Sequence, residues 1–384
     1  MIRFHSLCIY TIILFFLLLP LSGDACTSAI VSADLNPYGR PLLWKHRDTS
    51  AIDNKVEYVE GKDGKLSYVA LFNAADKKLE EAWMGMNEAG FAIMNTASYN
   101  IKDDNVPASE MDKEGVLMSL ALSSCHTVDD FRKLLDDYPR PMGVEANFGV
   151  IDAHGDGAFF ETNNHSYVIY PLSEAPEGIL VRTNYSHSGR PDEGYGFIRE
   201  ANANHLLRPY VESKNVTPEL LTENLSRSFY HDLKKRDCAL DNEKWLIDQD
   251  FIPRYKSTAT IVIEGCHPIA SSESLTPGEM GKEYIMWTGM GYPPCSEIIP
   301  VWCAPDGVNE TLRGLGANGH SEMGDIVKKR RDDVFELKKG NKDKYINISK
   351  LYNKEGTGYV QTLSPANLEV YRTVRGMRGE KLNK

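Results

Sequence analysis

The hydrophobic pattern separates an apolar leader from a long series of amphipathic segments. Residues 8–21 are almost continuously apolar, a basic residue precedes them, and the small residues Gly23 and Ala25 follow. This arrangement is typical of a secretory signal peptide, and the run is shorter than the roughly 20 residues of a membrane-spanning helix. We therefore predict that residues 1–25 are a cleaved signal peptide, which leaves Cys26 as the first residue of the mature chain.

The segments after the leader alternate between strand-like and helical patterns. Short runs rich in β-branched and aromatic residues are separated by turn sequences such as NPYG, NEAG and HGDG, which predict hairpins. Apolar residues at helical spacing predict helices between these blocks. The predicted strand segments are residues 27–33, 40–48, 66–74, 81–98, 146–162, 165–171, 178–186, 258–265 and 283–291. The predicted helices are residues 113–125, 127–138, 195–211, 218–230, 321–339 and 364–379.

Hairpins outnumber strand–helix–strand units in this order, which favours antiparallel sheets covered by helices. The sequence shows no internal repeat or clear linker, so we interpret residues 26–384 as a single domain. The net charge of −11 disfavours a nucleic-acid partner, and the basic cluster at residues 328–331 is followed directly by two aspartates. No segment after the leader is apolar enough to span a membrane. The sequence leaves open whether the chain forms a homo-oligomer.

Cleavage after Ala25 would place an α-amine and a thiol on the same residue, Cys26. An α-amine titrates near pH ~7.7–8 and a free thiol near ~8.5, so the amine can accept the thiol proton. Cys26 would then carry its own general base, as N-terminal threonine nucleophiles do. Three alternatives stay open: a lipid-modified Cys26, a disulfide-bonded Cys26, or a cut elsewhere. The three residues before Cys26, Gly-Asp-Ala, match a lipoprotein signal poorly.

Two segments carry a resemblance to a known family. The run CTSAIVSADLNPYGRPLLWKHRD, from Cys26 to Asp48, and the run GMNEAGFAIMNT, from Gly85 to Thr96, resemble N-terminal-nucleophile hydrolases. The pattern is similar to the choloylglycine hydrolases and the penicillin acyltransferase-like amidohydrolases, and the resemblance extends to about residue 303. It implies an α+β fold of four layers, αββα, in which two antiparallel sheets lie between helix layers.

The resemblance also implies roles for five residues. Cys26 would be the nucleophile and Asp48 would hold its amine by a charge-assisted hydrogen bond. Asn95 and Asn184 would donate N–H groups to the oxyanion of the transition state. Arg199 would lower the pKa of the thiol or orient Asp48. The family chemistry implies no metal ion and no organic cofactor.

Five further residues are candidates for the substrate pocket. Bile-salt-cleaving relatives carry an arginine where this chain has Lys45, which weakens an assignment to bile salts. Arg47 compensates only if its side chain faces inward, and on a regular strand it faces away from Asp48. The aromatic candidates, for which core packing is the alternative, are Trp83, Trp287 and Tyr292.

These observations together predict a secreted or periplasmic amidase. Its partner would be a small-molecule amide, and it would hydrolyse linear C–N bonds of small N-acyl compounds through a thioester on Cys26. An acyltransferase or a dipeptidase with the same site stays open, as does a lipid-anchored binding lipoprotein. His154, Asp156 and Glu161 around HGDG are explained better by a tight turn than by a metal site.

Overall fold

The computed structural model describes residues 25–102, 105–240, 243–268, 276–337 and 344–380. The predicted signal peptide lies outside these residues, except for Ala25, and therefore stays a prediction. Among the helices in the described part of the chain, none has both the length and the apolar character needed to cross a membrane.

Strands and helices alternate in blocks along the chain, as the sequence predicted. The strands are β1 Thr27–Val31, β2 Leu42–Asp48, β3 Asn54–Val59, β4 Tyr68–Asn73, β5 Ala82–Asn87, β6 Ala92–Ala97, β7 Ala146–Ile151, β8 Gly157–Thr162, β9 Tyr167–Pro171, β10 Ile179–Arg182, β11 Tyr230–His231, β12 Arg236–Asp237, β13 Trp245–Ile247, β14 Ser257–Glu264, β15 Ile285–Met290, β16 Ile298–Val301 and β17 Tyr345–Asn347. The helices are α1 Glu114–Ser124, α2 Val128–Asp137, α3 Phe197–Glu212, α4 Pro277–Glu283, α5 Glu322–Val334, α6 Ile348–Leu351 and α7 Tyr359–Met377.

Two large antiparallel sheets form the centre of the molecule. One has six strands in the order β10-β1-β2-β14-β15-β16, and the other has seven strands in the order β3 to β9. Every pairing within both sheets is antiparallel, because hairpins join most neighbouring strands. Two small two-stranded sheets, β11-β12 and β13-β17, lie outside them and were not predicted.

The buried side chains divide into layers that follow the alternation of each strand. An inner core lies between the two sheets and includes Leu43 from β2 and Leu71 from β4. A second core joins the other face of the seven-stranded sheet to α1 and α2, and includes Phe131. A third core joins the other face of the six-stranded sheet to α3 and α7, and includes Trp44 and Tyr371. The layers are therefore helix, sheet, sheet, helix, which confirms the predicted α+β fold class.

The predicted hairpins form where the turn sequences place them. Gly90 and Gly155 adopt φ values of +86° and +85° in the turns β5–β6 and β7–β8, a conformation that glycine adopts without a Cβ clash. Helix α2 begins at the predicted N-cap, because the Thr127 side chain accepts from Asp130 N and the two residues form a capping box.

The helix predicted at residues 218–230 forms over residues 218–227, but it is not a regular α-helix, and residues 228–230 lie outside it. A π-helical turn at Leu220–Asn224 is followed by a 3₁₀ turn at Leu225–Arg227. Two polar side chains turn inward there: Ser226 Oγ lies 2.7 Å from Thr260 Oγ1, and Arg227 donates to a main-chain oxygen. These buried bonds are made where the winding departs from that of an α-helix.

Candidate active site

Cys26 lies directly before β1, at the open end of the β1–β2 hairpin. The residue is 6% exposed, and its Sγ is 3.9 Å from the main-chain oxygen of Asp48. Burial raises the pKa of the Cys26 thiol, although the positive charge of Lys45 opposes the shift. The thiol is therefore protonated at neutral pH and needs a base before it can attack a carbonyl group.

Asp48 ends β2 and is held in its ionised form by three neighbours. Ser257 Oγ donates to Oδ1 at 2.6 Å, and Arg254 Nε donates to Oδ2 at 3.0 Å. His46 Nε2 lies 3.5 Å from Oδ1. Burial disfavours the charged carboxylate, but Arg254 and His46 together hold the pKa of Asp48 below its usual value. The result is a buried anion beside Cys26, suited to binding an ammonium group.

Arg254 is a site residue that the sequence analysis missed. It is 206 positions from Asp48 in the chain, and it reaches the site because β14 pairs with β2 and sets Ser257 opposite Asp48. A basic residue just before a strand gives no sequence signal of this role, since the partner strand is unknown until the sheet is assembled. Burial and the charge of Arg254 also lower the pKa of Arg199 to about 10.

Arg199 and Asn184 approach Cys26 from the side of α3. Arg199 is 1% exposed, and its Nη1 donates to the main-chain oxygen of Cys26 and, at 3.1 Å, to Thr27 Oγ1. Its Nη2 donates to Asn184 Oδ1 at 2.8 Å. This bond fixes which end of the Asn184 carboxamide carries nitrogen. Asn184 Nδ2 donates to the main-chain oxygen of Ala97 at 3.0 Å, so one of its two N–H groups is used there.

Lys45 and Asn95 join the two sheets next to the nucleophile. Lys45 is 2% exposed, and its Nζ donates to Asn95 Oδ1 at 2.7 Å and to the main-chain oxygen of Trp83 at 2.8 Å. The β4–β5 register skips Trp83, so this bulge supplies a carbonyl group to Lys45. Because the ammonium group holds the carboxamide oxygen of Asn95, the nitrogen of Asn95 is the end left to donate to another acceptor.

Arg47 meets the condition set by the sequence analysis, because its side chain faces the seven-stranded sheet. It donates to Asn54 Oδ1 and, at 3.0 Å, to Asn73 Oδ1. Its guanidinium carbon lies 5.0 Å from the centroid of the Trp83 ring. Asp48, one residue later, interacts instead with His46 and Ser257, as strand alternation predicts.

Two of the three aromatic pocket candidates lie in other cores. Trp287 faces the outer side of the six-stranded sheet, where Nε1 donates to Glu264 Oε2 at 3.0 Å and the ring lies 4.3 Å from the ring of Tyr371. Tyr292 is 1% exposed and packs against Phe335 at 5.4 Å. The structure therefore shows core packing for both residues. Trp83, in contrast, contacts Lys45 and Arg47 as described above.

The residues around HGDG form the predicted turn and not a ligand cluster. Glu161 pairs with Arg182 at 2.7 Å in the interior. Elsewhere in the described ranges, Asp53, His320 and Asp325 lie close enough together to hold a cation. Lys328 Nζ donates to Asp53 Oδ1 at 2.9 Å, and this positive charge occupies the carboxylate that a metal ion would need.

All six cysteines in the described part of the chain are unbridged: Cys26, Cys125, Cys238, Cys266, Cys295 and Cys303. Cys295 and Cys303, which are close together in the sequence, lie in different cores. Burial raises the pKa of Cys125 and of Cys303 to about 12. These two thiols are therefore poor nucleophiles at neutral pH.

Comparisons with known proteins can be set beside this geometry. Residues 76–238 match the family model described as acyl-coenzyme A:6-aminopenicillanic acid acyl-transferase. No curated protein matches the chain. The family match confirms the resemblance to N-terminal-nucleophile hydrolases of the penicillin acyltransferase-like group that the sequence motifs indicated.

Several solved structures are similar to parts of the chain. An N-acylethanolamine-hydrolyzing acid amidase ortholog from Caenorhabditis elegans has 13% identity and a TM-score of 0.40, covering 67% of this chain and 98% of its own. A variant of conjugated bile acid hydrolase from Clostridium perfringens has 11% identity and a TM-score of 0.43, covering 74% and 95%. Penicillin V acylase from Agrobacterium tumefaciens has 12% identity and a TM-score of 0.36, covering 77% and 92%.

Proposed function

From the family match over residues 76–238 and the arrangement around Cys26, we propose that this protein is an amidase with an N-terminal cysteine nucleophile. Its substrates are small N-acyl compounds with linear amide bonds. The reaction passes through an acyl-thioester on Cys26, which water hydrolyses. The family supports an enzyme that acts on carbon–nitrogen bonds; the nucleophile and the substrate class are the proposal.

One observation carries the proposal: four of the five residues assigned a role from sequence are joined by hydrogen bonds through Cys26, and the fifth, Asn95, is bonded to the nearby Lys45. The Cys26 thiol lies near the main-chain oxygen of Asp48, and Arg199 donates to the main-chain oxygen of Cys26. Arg199 also donates to the side chain of Asn184. Asn95 is held by Lys45, whose charge acts on the thiol. Residues from β2, β6, α3 and the β10–α3 connection converge here, although they are far apart in the chain.

The residues around Cys26 provide the base, the nucleophile and the oxyanion donors that an acyl transfer needs. After cleavage behind Ala25, the α-amine of Cys26 takes the thiol proton, and the Asp48 carboxylate holds the resulting ammonium group. The thiolate attacks the carbonyl carbon of the substrate, and N–H groups of Asn95 and Asn184 stabilise the oxyanion. The ammonium group then protonates the leaving amine, the C–N bond breaks, and the acyl group stays on sulfur until water attacks it.

Acyl transfer to an amine is the second candidate, and the description of the matching family favours it. The first half of the reaction is the same in both cases, because the thioester forms in the same way. An acceptor amine would then replace water in the second step. A product assay with and without a second amine separates the two outcomes.

We also propose that the protein is secreted or periplasmic, on the basis of the predicted signal peptide. The test is the intact mass of protein purified from the secreted or periplasmic fraction. An unmodified chain that begins at Cys26 agrees with the proposal. A diacylglyceryl adduct on Cys26 contradicts it, since the thiol would then be consumed by an anchor.

The decisive experiment for the activity is a panel of acyl amides, including N-acyl amino acids, N-acyl amines, conjugated bile salts, penicillins and short peptides. Mass spectrometry follows the released amines and an acyl group trapped on the protein after acid quenching. We expect at least one amide to give an adduct on the peptide that contains Cys26. Turnover with an adduct elsewhere, or no turnover of any member of the panel, contradicts the proposal.

A further inference from the structure

Asn147 lies in the middle of the polar network behind the catalytic cluster, and it has no role in the mechanism above. It is on β7, 0% exposed, and its carboxamide reaches the connection between β10 and α3. Nδ2 donates to the main-chain oxygens of Thr183 and Tyr185, at 3.3 and 3.1 Å. These are the residues directly before and after Asn184, so one side chain binds a carbonyl oxygen on each side of a candidate oxyanion donor.

Asn147 makes two further hydrogen bonds, one at each end of its carboxamide. Nδ2 lies 3.1 Å from Thr96 Oγ1, and Oδ1 accepts from Ser186 Oγ at 2.6 Å. Two N–H groups therefore face three acceptors, and the carboxamide has no freedom to rotate away. A buried side chain held at both ends keeps a fixed position, and any backbone group bonded to it shares that position.

Asn184 is connected to the nucleophile through Arg199. Its main chain pairs with Tyr195, with N–O distances of 3.2 Å in both directions. Its side chain accepts from Arg199, which donates to the main-chain oxygen of Cys26. The main chain of Asn184 is not part of a large sheet. The isolated bridge, a bond from Tyr99 N to Asn184 O at 3.3 Å, and the bonds from Asn147 to the two neighbouring residues hold it in place.

We propose that Asn147 is the positioning residue of Asn184: it fixes the segment that carries this side chain relative to the Cys26 thiol. The inference rests on the proposed function only in giving Asn184 a part in the reaction. Asn147 itself touches neither the nucleophile nor its main chain. Displacing a donor by about 1 Å is enough to lower a rate about a hundredfold.

Asn100 provides a matched control. It is 2% exposed, its Oδ1 accepts from Ser186 N at 2.7 Å, and its Nδ2 donates to the main-chain oxygens of Ser186 and Arg190 at 2.8 and 3.1 Å. The two asparagines therefore hold the same connection with the same kinds of bonds. Both asparagines bind the peptide group between Tyr185 and Ser186, Asn147 through its carbonyl oxygen and Asn100 through its N–H. Only Asn147 also binds the peptide group between Thr183 and Asn184, directly before the donor.

The test compares Asn147→Asp with Asn100→Asp, since each substitution keeps the side-chain shape and removes the two N–H donors. Hydrogen exchange, resolved by residue, follows the main-chain N–H of Asn184. We expect exchange there to be at least about tenfold faster in the Asn147 variant and unchanged within about threefold in the Asn100 variant. For an amide that the wild type hydrolyses, kcat falls at least about tenfold only in the Asn147 variant, with KM within about threefold.

The alanine variants of both positions repeat the comparison if a buried aspartate prevents folding. Equal exchange at Asn184 in the two variants overturns the inference, even if the wild type is an active amidase. Equal losses of kcat overturn it as well, because they indicate a general loss of structure. If the wild type hydrolyses no amide, the proposed function fails, and the exchange measurement alone decides whether Asn147 positions Asn184.

Discussion

The reactivity of Cys26 depends on the group bonded to its nitrogen. In the full-length chain this nitrogen belongs to the peptide bond with Ala25, and an amide nitrogen does not accept a proton at neutral pH. Burial also raises the pKa of the thiol. The proposed nucleophile is therefore inactive until the bond is cut, and its own amine then becomes the nearest base.

Two changes at this residue test that dependence. We expect Cys26→Ser, and a mature chain extended by one residue before Cys26, each to lose at least about a hundredfold in kcat/KM. Both should keep the melting temperature and circular dichroism spectrum of the mature wild type. Cys125→Ala is the control, because this buried thiol packs under α1 and α2. Equal turnover by the extended and the mature forms would show that the amine is not the base.

Arg254 opposes the effect of burial on the pKa of Asp48, and this contribution predicts a pH dependence of stability. Because the pKa of Asp48 is lowered in the folded protein, its ionised form stabilises the fold above the unfolded pKa of about 3.9. This contribution is lost as the pH falls through the lower folded value. In Arg254→Gln, burial raises the pKa of Asp48 with less opposition, so the loss begins at a higher pH.

Urea unfolding between pH 3 and pH 7 measures this shift. At pH 7 we expect Arg254→Gln to cost about 1–3 kcal/mol of unfolding free energy, since a buried carboxylate loses a charged donor. Arg313→Gln is the control, because Arg313 pairs with Glu57 and is 43% exposed. The pH profile of this control should match the wild type. If the unfolding free energy of Arg254→Gln falls at low pH over the same range as that of the wild type, other neighbours determine the pKa of Asp48.

At the scale of elements, the site is assembled by strands of both sheets and by one helix. β2 carries Lys45 and Asp48 on opposite faces, and only the inward-facing Lys45 reaches Asn95 on β6. The bulge at Trp83 on β5 supplies the second acceptor of Lys45. This single ammonium group therefore joins three strands from two sheets beside the nucleophile.

The contribution of Lys45 to stability and to catalysis can be measured by comparison with another buried lysine that makes similar hydrogen bonds. Lys45→Met leaves Trp83 O and Asn95 Oδ1 without their charged donor, and we expect a loss of about 1–3 kcal/mol in unfolding free energy. Lys55→Met is the comparison, because Lys55 is 6% exposed and donates to the main-chain oxygens of Asp76 and Ala74. We expect similar losses of stability, but a fall in kcat of at least about tenfold only for Lys45→Met. Equal kcat values for the two variants would show that Lys45 has no specific role in catalysis.

At the scale of the whole molecule, two sheets packed face to face bury the inner core, and helices cover both outer faces. The mature chain can bury this much apolar surface without covalent cross-links. The six cysteines of the described residues are unbridged, although Cys266 and Cys303 share one core and Cys238 and Cys295 share another. Disulfide bonds are otherwise common in secreted proteins.

We therefore expect all six cysteines of the mature protein to be thiols. Alkylation in denaturant without a reductant should add six alkyl groups, and a reductant should not change the melting temperature. The control is the same alkylation after full reduction, which should give the same mass. A smaller mass gain without the reductant would show a disulfide and contradict the unbridged state of the cysteines.

The sequence by itself determined the elements whose signals are local. Turn glycines located the hairpins, Thr127 and Asp130 located the start of α2, and the order of hairpins and helices indicated antiparallel sheets covered by helices. The family resemblance implied that there are two such sheets in four layers. The motif from Cys26 to Asp48 also identified the nucleophile candidate and the carboxylate beside it. These features depend on neighbouring residues, so a linear pattern contains them.

The tertiary structure decided which distant residues meet. The pairing of β2 with β14 brought Arg254 to Asp48, and strand alternation turned Trp287 away from the site into the outer core. Asn147 on β7 contacts the β10–α3 connection, which is distant in the sequence, only in the folded arrangement of the two sheets. The spacing of residues 218–230 predicted a helix, but the π and 3₁₀ winding of that helix accompanies buried bonds to distant partners such as Thr260, because a buried polar group without a partner is costly.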